Sequence, residues 1–202
     1  MSIAEKLTQI AENEQKVFDA GMKSEYDRFW DVFQDHGNRR NYTMGLAGPG
    51  WTDETFKPKY PIVIEDGSDG YVFRDNQTTH IPRVEVLAAT RINQLFYHAK
   101  CVQTIDCLYF HNEITNFSNT FNSCIALENL IIDGEVDRPI AGSISLQQSS
   151  KLTSASVDSI INALKDLTGQ TAQTLTLHAT VGANVTDAQK ATVTAKNWTL
   201  VF

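Results

Sequence analysis

The feature that most constrains the fold is an apolar pattern in the middle of the chain, Phe121-x-x-Cys124-x-x-Leu127-x-x-Leu130-x-Ile132. In this pattern apolar residues recur at every third position, and the last two are spaced two positions apart. Such spacing matches neither a helix nor a strand over the whole segment. They are typical of a short turn that leads into a short strand, and such units stack because none of them buries its apolar side alone. The pattern therefore predicts a solenoid, a type of fold that mostly serves binding.

A fainter copy of this pattern begins at Phe96, 25 residues before Phe121. Cys101 and Cys124 occupy equivalent places in the two copies, and the chain has three cysteines, an odd number that disfavours a disulfide framework. The cysteines are therefore predicted to fill the core as small apolar side chains. The predicted repeat core comprises Phe96, Cys101, Ile105, Leu108, Phe121, Cys124, Leu127, Leu130 and Ile132.

The N-terminal region, residues 1–37, is predicted to be one long helix that serves assembly or anchoring. Ser2 and Glu5 have the spacing of a capping box, and Gly37 is a helix stop. The first half carries a narrow apolar seam that suits a coiled coil, which predicts a homo-oligomer, a trimer or a dimer. The alternative is a helix that packs entirely on its own domain. The candidate assembly interface comprises Ile3, Leu7, Ile10 and Val17.

The density of glycine and proline marks residues 38–60 as a linker or crossover, and the repeat domain is assigned to residues 61–202. Short strands are expected where apolar residues alternate with polar ones. Near the C-terminus, the segment Leu152-Thr153-Ser154-Ala155-Ser156 is predicted to cap a helix with the apolar stripe Val157, Ile160, Ile161 and Leu164. The expected strands are 61–64, 84–87, 105–110, 130–132, 144–146, 175–177 and 198–202.

Three stretches resemble known repeat proteins. Residues 121–130 are similar to the coil of BspA-type leucine-rich repeats. Residues 152–164, followed by Leu175-Thr176-Leu177 and Lys196-Asn197-Trp198-Thr199, resemble the C-terminal unit of repeat proteins common in phages and prophages of gut Firmicutes. Residues 3–58 resemble the helical leader of the same proteins. The spacing departs from a regular array between residues 61 and 95, so the number of coils stays open there.

The resemblance implies an α/β fold: a long N-terminal α-helix, then an irregular leucine-rich-repeat-like solenoid with C-terminal βαβαβ coils. It also implies a non-enzymatic phage structural or attachment protein of a tail or head fibre. The helix would serve oligomerisation or anchoring, and the solenoid would serve display or recognition. The expected partners are further copies of the chain and other virion proteins. The family supplies no catalytic residues.

Two other classes of function compete with this hypothesis. The first is a host-surface or carbohydrate-binding adhesion module, which would recognise a glycan or protein through exposed aromatic residues, with Trp51, Tyr97 and Tyr109 as the candidates. The second is an enzyme such as a glycan hydrolase. The acidic pairs at 53–54 and 65–66 are the candidate catalytic dyads, but neighbouring residues on a strand point apart, so neither pair alone can flank one bond.

A zinc site is the sharpest alternative for the histidines and cysteines. His98, Cys101, Cys107 and His111 are four metal-capable side chains within a short segment. The spacer between the two pairs is much shorter than in familiar zinc motifs, and the repeat pattern already explains Cys101. No metal and no cofactor is therefore predicted.

Charge and hydropathy exclude several partners. The net charge of −7 and a pI near 5.2 disfavour nucleic acid, whose binding proteins carry basic patches. There is no apolar run long enough for a transmembrane helix, and the N-terminus lacks the pattern of a signal peptide. The expectation is a virion protein made in the cytoplasm of a bacterial host, with no membrane partner.

Overall fold

The computed structural model describes residues 52–53, 62–64, 72–87 and 90–202. The chain divides into two units, Met1–Arg39 and Arg40–Phe202, and every described residue belongs to the second. The predicted helix at 1–37 and most of the predicted linker at 38–60 therefore lie outside the described residues. The same holds for the candidate assembly interface, Ile3, Leu7, Ile10 and Val17.

The first sheet has five parallel strands: β1 Ile62–Ile64, β2 His80–Ile81, β3 Val84–Val86, β4 Thr104–Phe110 and β5 Asn129–Gly134. The first half of β4 pairs with β2 and its second half with β3, while β1 extends the sheet beyond β3 and β5 lies on the other side of β4. Pro82 separates β2 from β3 because proline has no N–H to donate to a ladder.

The inner side of this sheet is apolar because side chains alternate between its two faces. Val84, Leu108 and Ile132 lie in register and are all buried. A column of three phenylalanines fills the turns beside the strands. The ring centroids of Phe73 and Phe96 are 5.1 Å apart, those of Phe96 and Phe121 are 5.6 Å apart, and both pairs are stacked.

The outer edge of β5 is covered by a helix instead of a further strand. This helix, α1 (Ser154–Ala163), begins after Thr153, whose side chain accepts a hydrogen bond from the N–H of Ser156. The hydroxyl of Ser156 accepts from the backbone N–H of Leu130 at 2.9 Å, and that of Ser159 accepts from the N–H of Ile132 at 2.8 Å. These two serines satisfy strand donors that would otherwise be unpaired, so the first sheet ends here.

The second sheet has three parallel strands, β6 Ile144–Leu146, β7 Gln173–Leu177 and β8 Trp198–Val201, which pair in that order. The helices that follow β7 are α2 Ala179–Gly182 and α3 Asp187–Ala195. Thr186, the residue that caps α3, and Gln189 form a complete capping box at its start.

The buried amine of Lys196 closes the C-terminal end of α1. Its Nζ donates to the carbonyl of Ile161 at 2.7 Å and to that of Asn162 at 3.1 Å. A cation is favoured at this end of a helix because its last carbonyl groups lack partners within the helix. Burial lowers the pKa of Lys196, and these bonds hold the segment before β8 against α1.

The predicted fold class is wrong. The described residues form no single continuous solenoid but two small parallel sheets of five and three strands, together with three short helices. The physical reason lies at β5, where the serines of α1 take the hydrogen bonds that a further strand would have made. No helix in the described part of the chain is both long and apolar enough to cross a membrane.

The predicted repeat-core residues occupy two environments. Cys101 is partly exposed, and its Sγ lies 3.4 Å from the side-chain oxygen of Gln77. The other eight are buried: Phe96, Ile105, Leu108, Phe121, Cys124, Leu127, Leu130 and Ile132.

The three thiols should differ sharply in reactivity. Burial raises the pKa of Cys124 to about 12, and its Sγ donates to the carbonyl of Phe96 at 3.2 Å. Because the thiolate is the reactive form, we expect iodoacetamide to alkylate the partly exposed Cys101 of the folded protein first and to spare Cys124. Cys107 is also partly exposed, but burial raises its pKa, so it should react more slowly than Cys101. Peptide mass spectrometry before and after unfolding in urea measures this. Equal labelling of all three in the folded protein would contradict the packing described.

Candidate functional site

The outer side of the first sheet carries a group of polar and aromatic side chains at the end of its central strands. Glu85 of β3, Tyr109 of β4 and Asp133 of β5 lie in register across the three strands. Because alternate residues share a face, side chains two positions away join the same surface. We call this surface the polar face, and it comprises Arg83, Glu85, Tyr109, His111, Asp133 and Glu135.

Arg83 and Tyr109 form a stacked pair within the polar face. The guanidinium carbon of Arg83 lies 4.1 Å from the centroid of the Tyr109 ring, within the range of a cation–π contact. Nε of Arg83 also donates to Oε1 of Glu85 at 2.7 Å. A carboxylate and an aromatic ring therefore hold the guanidinium in one orientation.

His111 lies between two carboxylates, one from β3 and one from the residue that follows β5. Its Nδ1 is 2.9 Å from Oε2 of Glu135, and its Nε2 is 3.5 Å from Oε2 of Glu85. The backbone N–H of His111 donates to the carbonyl of Val86 at 3.0 Å, which fixes the position of the residue. Nε2 is buried, and among the described residues it has no hydrogen-bond partner.

Charged and aromatic side chains dominate the polar face. Both ring nitrogens of His111 face carboxylates, so the imidazole is not aimed at a serine, threonine or cysteine. The cysteine of β4, Cys107, has its pKa raised chiefly by burial, which disfavours the nucleophilic thiolate. The surface offers a ring, a guanidinium and three carboxylates for non-covalent contacts.

The three predicted ligand aromatics do not form one platform. Tyr109 belongs to the polar face. Tyr97 stacks on His98 with ring centroids 3.9 Å apart, and the guanidinium carbon of Arg74 lies 5.2 Å from its ring centroid. Among the described residues, no contact joins Tyr97 to Tyr109. Trp51 lies outside the described residues.

The four residues weighed as zinc ligands have separate partners. His98 pairs with Asp75 at 3.4 Å, and His111 contacts Glu85 and Glu135. Cys101 contacts Gln77, while Cys107 lies beside Arg83. Among residues 52–53, 62–64, 72–87 and 90–202, no three histidine, cysteine, aspartate or glutamate side chains are grouped so as to hold a metal ion.

A cavity of about 270 Å³ lies beside the three helices. It has no titratable side chain in its walls, so it offers apolar contacts and a few amide and hydroxyl groups but no acid–base chemistry. The polar face is therefore the stronger candidate site. The walls of the cavity are Leu152, Ser154, Val157, Val181, Asn184, Val185 and Gln189.

Sequence reasoning identified Tyr109 as a ligand residue and considered His111 only as a metal ligand. It missed Arg83, Glu85, Asp133 and Glu135. The sequence does contain a spacing that points to these residues. Tyr109 follows Glu85 by 24 residues, Asp133 follows Tyr109 by 24, and Glu135 follows His111 by 24. Aligning the strands at this offset would have placed these side chains on one surface.

Comparison of the chain with protein-family models, with curated proteins and with solved structures gave no match.

Proposed function

We propose that this chain is a non-enzymatic attachment protein that recognises a host-surface glycan through its polar face. The observation that carries the proposal is the arrangement of Arg83, Glu85 and Tyr109, in which a ring, a guanidinium and a carboxylate are fixed together on an outward surface. Fixed side chains lose less conformational entropy when a ligand binds, and this favours affinity.

The chemistry of a sugar matches that of the polar face. Sugar hydroxyls donate to carboxylates and accept from guanidinium and phenol groups, all of which the polar face provides. Tyr109 adds an apolar ring with a polar tip, a combination common at binding surfaces. Glu135 and Asp133 are exposed at the rim, where they can meet a ligand without first being uncovered.

The resemblance of the sequence to phage repeat proteins supports a place for this chain on a virion. In that role the described unit would be displayed, and residues 1–37 would join copies of the chain or anchor it to other virion proteins. Oligomerisation through Ile3, Leu7, Ile10 and Val17 stays a prediction, because these residues lie outside the described ones.

A glycan array tests the proposed recognition. We expect the wild-type chain to bind a restricted set of glycans and Tyr109→Ala to lose that binding, because the variant removes the ring and leaves Arg83 without its stacking partner. Tyr97→Ala is the matched control: it removes the same side-chain type, also beside an arginine, away from the polar face. An array without bound glycans, or equal losses in both variants, would contradict the proposal.

A further inference from the structure

We infer that the cavity beside the three helices is a second binding site and that it takes the acetamido group of an N-acetylated amino sugar. Each of the helices contributes to its walls: Ser154 and Val157 belong to α1, Val181 to α2 and Gln189 to α3. None of the wall residues belongs to the polar face, so the inference does not depend on the proposed function.

The floor of the cavity is aliphatic. Leu152, Val157, Val181 and Val185 line it, and each of these residues is at most 8% exposed. The volume of about 270 Å³ exceeds the roughly 150 Å³ of an apolar cavity that accepts benzene. The cavity therefore has room for a methyl group and for a larger part of the molecule that carries it.

Two polar side chains at the rim have hydrogen-bonding capacity to spare. Asn184 and Ser154 line the same cavity and are exposed. The amide nitrogen of Asn184 donates to the carbonyl of Thr180 at 3.0 Å, whereas its side-chain oxygen accepts no bond from any described residue. The hydroxyl of Ser154 also has no hydrogen-bond partner within the described ranges. The rim thus offers one acceptor and one hydroxyl that can donate.

An acetamido group has the complementary set of atoms. Its methyl group packs on the aliphatic floor, its N–H donates to the side-chain oxygen of Asn184, and its carbonyl accepts from the hydroxyl of Ser154. An ammonium group in the same place would lose water without meeting an opposite charge, because no wall residue is titratable. The cavity therefore selects an N-acetylated sugar over the same sugar with a free amine.

Hydrogen bonds hold the walls in place before any ligand binds. Nε2 of Gln189 donates to Oδ1 of Asp158 at 2.6 Å, which joins α3 to α1, and its Oε1 accepts from the N–H of Thr186 at 2.8 Å. The N–H of Val185 donates to the carbonyl of Gly182 at 3.1 Å. A site that is already formed loses little conformational entropy on binding, and this favours affinity.

A sugar ring suits the opening better than an acetylated peptide. The other substituents of the ring are hydroxyl groups, which can both donate to and accept from the uncharged amide and hydroxyl groups of the rim. An acetylated peptide continues as a backbone that gains affinity chiefly by pairing with a strand edge. No wall residue of the cavity belongs to a strand, so the peptide backbone would lack this support.

Nuclear magnetic resonance of the valine methyl groups tests the inference on the full chain. N-acetylglucosamine should shift the signals of Val157, Val181 and Val185 along saturable curves. Glucosamine, the same ring with a free amine, should bind at least about tenfold more weakly because it lacks the methyl contact and the carbonyl acceptor. N-acetylglycine amide carries the same acetamido group on a peptide and should also bind more weakly than N-acetylglucosamine.

Variants of Asn184 test the contact at the rim. Asn184→Ala removes the acceptor and should weaken the binding of N-acetylglucosamine about fivefold, whereas Asn184→Asp keeps an acceptor oxygen and should bind more tightly than the alanine variant. Asn162→Ala is the matched control, because Asn162 is an exposed asparagine of α1 that is not in the walls of the cavity. We expect this control to bind as the wild type does.

The inference would be overturned by the absence of saturable shifts at the three valines or by equal affinities for N-acetylglucosamine and glucosamine. Tighter binding of the peptide analogue, or unchanged affinity in Asn184→Ala, would also contradict it. The titrations of the wild-type chain decide the matter even if a variant fails to fold. Glycan binding that survives Tyr109→Ala, together with shifts at the three valines, would reject the proposed function and retain this inference.

Discussion

Replacement of Phe96 by alanine is expected to lower the free energy of unfolding by about 3–5 kcal/mol. Phe96 is fully buried and is the middle ring of the column formed with Phe73 and Phe121. The variant removes two stacked contacts at once and leaves a cavity between the rings of Phe73 and Phe121. The paired strands of the first sheet limit how far the chain can move to fill this cavity. Urea unfolding followed by circular dichroism measures the loss.

Tyr97→Ala is the matched control for this variant. Tyr97 is adjacent in sequence and equally aromatic, but it is partly exposed and contacts the surface groups His98 and Arg74. We expect a loss below about 1 kcal/mol. A loss for Phe96→Ala as small as that of the control would show that the phenylalanine column does not stabilise the core.

Replacement of Gly142 by alanine should be the next most damaging change, with a cost of about 1–3 kcal/mol or more. Gly142 is buried where the chain passes the backbone of Thr115, and an added methyl group would lie closer than 3.0 Å to the carbonyl carbon and oxygen of that residue. Backbone cannot move aside as a side chain does. The N–H of Gly142 also donates to the carbonyl of Ile114, so any shift weakens that bond.

Gly182→Ala provides the comparison for Gly142→Ala. The three atoms nearest to a methyl group on Gly182 would all belong to the ring of Phe202, a half-exposed side chain that can rotate away. Thermal melts of the two variants should therefore show a clearly larger decrease in melting temperature for Gly142→Ala. Equal decreases would mean that the close approach of residues 142 and 115 is not a constraint on the fold.

Local structure was largely predictable from the sequence. The apolar stripe of Val157, Ile160, Ile161 and Leu164 after the capping segment 152–156 predicted a helix. The helix α1 confirms this: within that segment Thr153 is the capping residue, and Leu164 directly follows the last helical residue. The expected strands around residues 105–110 and 130–132 are confirmed as β4 and β5. These elements depend on the spacing of apolar residues within one segment, which the sequence shows directly.

The assembly of these elements was not predictable in the same way. The stripe of α1 shows which side of the helix is apolar, but nothing local indicates that Ser156 and Ser159 reach the backbone of β5. The end of the first sheet depends on this pairing between residues about 27 positions apart in the chain. Repeating the strand pattern beyond β5 therefore led to the wrong fold class.

The candidate site depended on register, which local patterns do not determine. Glu85, Tyr109 and Asp133 come from three separate segments and meet because β3 pairs with β4, and the second half of β4 pairs with β5, in this register. The zinc hypothesis grouped His111 with residues close to it in the sequence. In the structure His111 contacts Glu85 and Glu135, which come from the neighbouring strands of the sheet. Contacts across strands therefore decide the chemistry of this histidine.

The most direct test of the central proposal is calorimetric titration of the best glycan from the array into the wild-type chain and into Tyr109→Ala, with unfolding curves to show that both are folded. Recognition through the polar face predicts that the variant binds at least about tenfold more weakly, a difference of about 1.4 kcal/mol, at unchanged stability. Equal affinity of two folded proteins would show that the ligand binds elsewhere and would contradict the account.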